Sequence, residues 1–349
     1  MSPSRRQMAR SLSGVGPCYH ARSLVSRAPS ALLAGFQLLL LTALPAHAPA
    51  GGITYQLLDD VGLVAGPTWS PGGEWIAYAR NSGDGADLWK VWATGGEPVL
   101  LLDLPGAAAR PDWSPDGEWI AFTYLGPETT GQAIWKVRPD GEGAEQVVDT
   151  PESDLAPVWS PDQRQIAFYS IGGADDDLRI LDVATGQWAV RWSWSTVEDP
   201  SYSPDGAWIA FSGKKPGESG TSLYRIGASV GSPEELLVVP YSIPLLEEPH
   251  WSPDGRYFAF STTHVYGAPG GQFDVFIWRL GGGQYAVTRV TFDSGNDRGA
   301  SWSPDMTAIA YTAQTNESLW IARGFSLPDG ATGTRDVTWG SLRGRFSDP

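Results

Sequence analysis

The chain has 349 residues, with 24 Lys and Arg against 39 Asp and Glu, a formal net charge of −15 and an apolar fraction of 42%. That apolar content excludes a disordered acidic chain, and a single cysteine excludes both a disulfide framework and a Cys-rich zinc module. The negative balance argues against nucleic acid as a partner, because phosphate binding requires a basic surface.

Residues 1–50 form a leader. They hold Arg5, Arg6, Arg10, Arg22 and Arg27 and no acidic residue; an apolar run from Ala31 to Leu44 follows, and then the small residues from Pro45 to Ala50. This is the order of a secretory signal peptide, with Ala48 and Ala50 at the small-residue positions of a cleavage site. The apolar run is too short for a comfortable membrane span, so no stable membrane insertion is expected after cleavage. The mature chain from Gly51 has no cysteine and carries 19 basic against 39 acidic residues, a net charge of −20. A thiol-free acidic chain suits an oxidising compartment, so the expected location is periplasmic or secreted.

From Trp69 onward one phrase recurs six times: Trp69-Ser-Pro-Gly-Gly-Glu-Trp-Ile-Ala-Tyr, Trp113-Ser-Pro-Asp-Gly-Glu-Trp-Ile-Ala-Phe, Trp159-Ser-Pro-Asp-Gln-Arg-Gln-Ile-Ala-Phe, Tyr202-Ser-Pro-Asp-Gly-Ala-Trp-Ile-Ala-Phe, Trp251-Ser-Pro-Asp-Gly-Arg-Tyr-Phe-Ala-Phe and Trp302-Ser-Pro-Asp-Met-Thr-Ala-Ile-Ala-Tyr. The intervals are 44, 46, 43, 49 and 51 residues. The phrase reads as a β-hairpin. Pro presets the first central turn position, Asp suits the second and Gly accepts the left-handed position after it. The run Trp-Ile-Ala-Phe is apolar on both faces, as in a strand packed between neighbouring sheets, and its small Ala leaves room for a large residue opposite. Gln163 and Met306 replace the turn Gly and are strained if the left-handed conformation is kept.

A third strand is expected from Asp87, Ala133, Asp177, Ser222, Asp274 and Ser318, and a fourth at 99–102, 146–148, 188–190, 236–239 and 287–291. Four strands per repeat, six times over, predict an all-β fold, a six-bladed β-propeller of four-stranded antiparallel blades spanning residues 51–325, with a C-terminal tail at 326–349. The sixth repeat lacks its own fourth strand. Residues 53–58 are expected to pair onto it and close the ring, with 335–339 as the competing candidate.

The phrase Trp-Ser-Pro-Asp-Gly-x-x-Ile-Ala-Phe resembles the repeat of the TolB-type six-bladed propellers, which also occurs in propellers attached to prolyl-oligopeptidase-like hydrolases and in some polysaccharide lyases. The resemblance covers about residues 53–325. It implies the fold more than the activity, because the matching residues are turn and core positions; the family's partner-binding residues lie in variable loops, and none is carried over. TolB carries an α/β domain ahead of its propeller, whereas here only about three residues separate the expected leader from the first expected strand.

Pro67, Pro111, Pro157, Pro200 and Pro249, with Ala300 in the sixth copy, stand two positions before each repeat aromatic. They read as protection of exposed edge strands lining a central channel. The loops entering those strands place Asp60, Asp154, Glu198, Asp199, Glu247, Glu248, Asp293 and Asp297 around one mouth, with Arg110, His250 and Arg298 among them. Asp154, Glu198, Asp199, Glu247, Glu248, His250, Asp297 and Arg298 form the candidate ligand-binding set, and the expected ligand is a basic protein or peptide, or a cation. Asp84 and Asp87 in one loop and Asp175, Asp176 and Asp177 in another offer oxygen ligands for Ca²⁺, without EF-hand spacing; no other cofactor is expected. His250 and His264 are the only histidines of the mature chain, and no G-x-S-x-G elbow or phosphate-binding Gly loop is present. The expected function is a monomeric, non-enzymatic binding scaffold. The alternative is a carbohydrate-active or hydrolytic enzyme using mouth carboxylates such as Glu198 and Glu247.

Overall fold

The computed structural model describes residues 52–58, 64–81, 85–127, 129, 131–148, 150–217, 220–237, 245–263, 272–283, 286–292, 295–313 and 318–328. The leader at 1–50, residues 335–339 and the chain beyond Pro328 lie outside them. Among the described residues there are strands and no helix, so no helix among them is long and apolar enough to cross a membrane.

After β1 (Ile53–Leu58) the strands fall into six antiparallel sets. Blade one is β2 (Val64–Trp69), β3 (Trp75–Asn81), β4 (Ala86–Trp92) and β5 (Val99–Leu102). Blade two is β6 (Ala107–Trp113), β7 (Ile120–Leu125), β8 (Ala133–Val137) and β9 (Glu145–Val148); a single parallel bridge, Ala86 to Ala107, ties it to blade one. Blade three is β10 (Ser153–Trp159), β11 (Gln165–Ile171), β12 (Asp176–Asp182) and β13 (Trp188–Trp194). Blade four is β14 (Thr196–Tyr202), β15 (Trp208–Lys214), β16 (Ser222–Gly227) and β17 (Glu234–Leu237). Blade five is β18 (Leu246–Trp251), β19 (Tyr257–Thr262), β20 (Asp274–Arg279) and β21 (Val287–Arg289). Blade six is β22 (Asp297–Trp302), β23 (Ala308–Ala313) and β24 (Ser318–Arg323), and its fourth strand is β1, which runs antiparallel to β24 from Ile53 opposite Arg323 to Leu58 opposite Leu319.

The Ser-Pro-Asp-Gly turns carry more chemistry than a bend. In every copy the serine hydroxyl accepts the backbone N–H five residues on, at 2.9–3.0 Å, from Ser70 and Trp75 through to Ser303 and Ala308. Where Asp is present, the same hydroxyl donates to its carboxylate at 2.6–2.7 Å. Gln163 and Met306 hold the left-handed turn position at φ of 64° and 61°, so both copies keep the glycine conformation with a side chain in it.

Packing between blades follows from the alanine in each phrase. Ala77 of blade one is fully buried against Trp113 and Phe122 of blade two, and the same relation links Ala121 to Trp159 and Phe168, Ala167 to Tyr202 and Phe211, Ala210 to Trp251 and Phe260, and Ala259 to Trp302 and Tyr311. Ala310 of blade six shares a cluster with Trp69 and Tyr78 of blade one. A Cβ placed on the blade-one turn residue Gly73 would lie 3.7 Å from Pro304 Cδ of blade six. Large against small at each interface gives close packing without voids, with each buried aromatic contributing about 2–3 kcal/mol.

Two outer strands depart from the sequence expectation. β17 starts at Glu234 rather than near 236, because Arg225 sits opposite Glu234 and pairs with it at 2.9 Å, while Lys215 pairs with Glu235. β13 runs on to Trp194, whose ring packs edge-on to Tyr224 of blade four at 4.9 Å. Leu327, expected in the tail, is buried beneath blade six with Phe325.

Replacing Ala310 by Leu is expected to destabilise the protein by about 1–3 kcal/mol through overpacking between blades six and one. Gln163→Gly is expected to stabilise it by about 1 kcal/mol by relieving the left-handed turn. Urea unfolding followed by tryptophan fluorescence measures both.

Candidate ligand-binding channel

The innermost strands line the channel, and all six are interrupted at one place. Their pairing register slips between Ala65 and Thr68, Ala109 and Asp112, Leu155 and Val158, Glu198 and Ser201, Glu247 and His250, and Arg298 and Ser301. Each slip is a β-bulge, and in blades one to five it holds the repeat proline, which needs no ladder partner for a donor it lacks; Ala300 takes that place in blade six. The residue before that proline (Ala300 in blade six) is left-handed in every blade: Gly66 at φ 58°, Arg110 at 50°, Ala156 at 47°, Asp199 at 53°, Glu248 at 53° and Gly299 at 68°. Five of the six positions thus place a residue ahead of proline, and three of the six place a charged side chain in a conformation that costs roughly 1–2 kcal/mol for anything but glycine.

The bulge residues, the prolines and the residues just after them enclose a cavity of about 100 Å³ with Arg110, Asp199 and Glu248 at one level and Asp112, Ser201 and His250 at another. Arg110 reaches from blade two to blades four and five: Nη1 pairs with Asp199 Oδ1 at 2.5 Å and Nη2 with Glu248 Oε1 at 3.1 Å. Asp199 Oδ2 accepts the Glu248 backbone N–H at 3.1 Å, and Glu248 Oε2 accepts the Gly299 N–H. Burial alone would lower the Arg110 pKa, but the Asp199 and Glu248 carboxylates outweigh it and hold the guanidinium firmly charged. Burial raises the Glu248 pKa even against that cation.

One position earlier on the strands stand Glu198, Glu247 and Arg298. Arg298 pairs with Glu247 at 2.9 Å and lies over the Phe273 ring at 3.6 Å. Burial raises the Glu247 carboxyl despite this partner. Glu198 is pushed up to about 7, first by burial and then by the Asp199, Glu247 and Asp176 carboxylates. Deeper in, burial pushes Asp112 up to about 7, although its Oδ2 accepts the Trp159 N–H of the next blade at 2.8 Å. Ser201 does the same for Trp251 at 3.2 Å, so this row of side chains latches one blade to the next. His250 is lowered to about 4 by burial and is neutral at pH 7.

The structure therefore brings Glu198, Asp199, Glu247, Glu248, His250 and Arg298 together, and corrects the placement of Asp154 and Asp297. Both are fully buried within β10 and β22, two residues before the bulge residue, and do not line the cavity. Asp154 is consumed by Thr150 and Ser170, whose hydroxyls donate at 2.9 and 2.6 Å. The Ca²⁺ expectation finds no support: Asp177 is engaged by Arg179 at 2.8 Å and Ser193 at 2.5 Å, Asp87 is buried, and among the described residues no group of three His, Cys, Asp or Glu could hold a metal. Asp60, Asp84, His264 and Asp293 lie outside the described residues. The sequence places Arg110 at the mouth but outside the ligand-binding set and does not single out Asp112; aligning the six repeats on the left-handed position, where Gly, Arg, Ala, Asp, Glu and Gly follow one another, marks Arg110 as a bulge residue.

The family described as the TolB beta propeller domain matches residues 128–328, more than half of the chain. The chain belongs to the TolB β-propeller family. No curated protein sequence matches it. Among solved structures, this TolB-family chain is similar to a putative TolB from Agrobacterium tumefaciens, with a TM-score of 0.59 and 22% identity over 77% of this chain and 96% of that one. It is similar also to TolB from Acinetobacter baumannii, with a TM-score of 0.55 and 20% identity over 76% of this chain and 64% of that one, just under two thirds of its length. A gluconolactonase from Xanthomonas campestris superposes with a TM-score of 0.60 at 13% identity, over 78% of this chain and 91% of that one. At such identities the likeness is one of fold.

Glu198 supplies a pH signature. Its folded pKa of about 7 stands above the ordinary Glu value of 4.5, so between those values the folded state binds more protons than the unfolded one, and stability falls as pH rises through the window. Glu198→Gln removes this contribution. The variant is expected to gain stability relative to the parent as pH rises from 4.5 to 7, with a constant difference above; thermal unfolding of both across pH measures it.

Proposed function

We propose that this TolB-family propeller is an extracytoplasmic, non-enzymatic scaffold that docks a basic protein or peptide at the acidic mouth of its channel. The carrying observation is that Asp199 and Glu248 line the cavity with Arg110 between them, while Glu198 and Glu247 precede them on the same two inner strands and Glu247 is paired with Arg298. Four carboxylates against two guanidiniums leave a surplus of negative charge, and a partly buried surplus is screened less by salt than a surface one. The secretory order of residues 1–50 supports the location. The test is capture of partners from an envelope extract on immobilised protein with elution by salt. The variant Glu198→Lys/Glu247→Lys is expected to lose that partner by at least tenfold in affinity, and retention at parental affinity overturns the reading.

One observation favours a second reading as an enzyme. Glu198, pushed up to about 7 first by burial and then by the neighbouring carboxylates, has the environment of a general acid. Similar folds include the Xanthomonas gluconolactonase and an oligogalacturonate lyase from Vibrio parahaemolyticus. A turnover screen on glycans, lactones and peptides decides it, since turnover that disappears in Glu198→Gln establishes an enzyme.

A further inference from the structure

The cross-channel ion pairs define a receptor more specific than an acidic rim. We propose that Asp199 and Glu248 form a guanidinium site whose built-in occupant is Arg110, and that an arginine of a docked segment exchanges with it. This rests on the reading of the chain as a binding propeller and names the side chain that such a propeller receives.

Three features carry it. First, the two carboxylates are held without Arg110. Asp199 spends Oδ2 on the Glu248 N–H and Glu248 spends Oε2 on the Gly299 N–H, so each is anchored by one oxygen to backbone and presents the other to the channel. Two oxygens fixed in this way match the two terminal nitrogens of a planar guanidinium, as the Arg110 contacts show. Second, Arg110 is not packed away. Its side chain is 33% exposed and borders the cavity, so the groups it pairs with can be reached from the channel. Third, the fold does not require arginine there. Blades one and six carry Gly66 and Gly299 at the same left-handed position, and the bulge forms equally well around them. Arg110 occupies a strained conformation to place its guanidinium, and Glu198, next to Asp199 in the chain, is close enough for its carboxylate to act on that charge.

A tethered arginine acts as a competitor at high effective concentration, so removing it must strengthen binding of a free one. The experiment is calorimetric titration of the full chain with Nα-acetyl-arginine methylamide, comparing the parent with Arg110→Gly, which suits the left-handed backbone. The variant is expected to bind at least about tenfold more tightly than the parent, and the added substitution Glu248→Gln is expected to cancel the gain. The citrulline analogue, which has the shape without the charge, is expected not to bind, and the lysine analogue to bind about tenfold more weakly because it cannot bridge both carboxylates. Equal or weaker binding by Arg110→Gly, or a gain that survives Glu248→Gln, overturns the proposal. Arg110→Met, which keeps the stem and loses the charge, is measured in parallel, and both variants are checked for folding by tryptophan fluorescence. The two readings fail separately: arginine binding without any captured partner sinks the scaffold function alone, and partner capture with no gain in Arg110→Gly sinks this site alone.

Discussion

The structure depends on one steric constraint, an alanine on the second strand of each blade facing aromatic rings from the next. A sheet can lie close to its neighbour only if one surface yields volume where the other adds it, and the pairs Ala77 with Phe122 through Ala310 with Tyr78 repeat that bargain around the molecule. Everything nearer the axis follows. With the second strands locked face to face, the innermost strands are held at a fixed radius, and their side chains have nowhere to point but along the channel or into the seams between blades.

The bulge then decides which side chains do which. An extra residue in each inner strand swings the position before the proline toward the axis and returns the residue after the proline to the seam, where Asp112 and Ser201 each accept a backbone N–H from the next blade. The same irregularity therefore builds the scaffold and decorates the channel. In blades one, three and six it carries only Gly66, Ala156 and Gly299. In blades two, four and five it carries charge, so a six-fold framework holds a site with no six-fold symmetry. Backbone strain of this kind persists only where the surroundings over-determine it, and here a bonded ladder on one side and the packed aromatic seam on the other do so.

Much of the framework was legible in the amino-acid order because it repeats. The turn serine, proline and glycine, the alanine and its aromatics each recur in register, and a local rule seen six times is hard to misread. Even the exceptions were informative: Gln163 and Met306 stand where glycine is absent, and both adopt its conformation. The pairing of β1 with β24 could be inferred because the sixth repeat lacked a strand that residues 53–58 resemble. The outer strands were harder. β17 is set by Arg225 and Glu234 meeting across the ladder, a pairing invisible until the register is known. The site was legible as charge but not as geometry. Asp154 and Asp297 look like Asp199 in the sequence, yet they sit two residues earlier relative to the bulge, and that offset buries them. The role of Arg110 is not legible locally, because its carboxylates come from blades two and three places further along and no local pattern reports such a meeting.

Sharing blade six between the two ends of the described chain has a kinetic consequence. Ile53 meets Arg323 across 270 residues, so the earliest strand to emerge waits for the latest before either can be satisfied. Blades one to five can collapse as they appear, while the seam that joins β1 to blade six cannot form until β24 has been made. The entropy of joining such distant ends grows only with the logarithm of their separation, so the delay is one of timing rather than of equilibrium, and the unjoined edge of β24 is the surface that a chaperone would have to shield in the meantime.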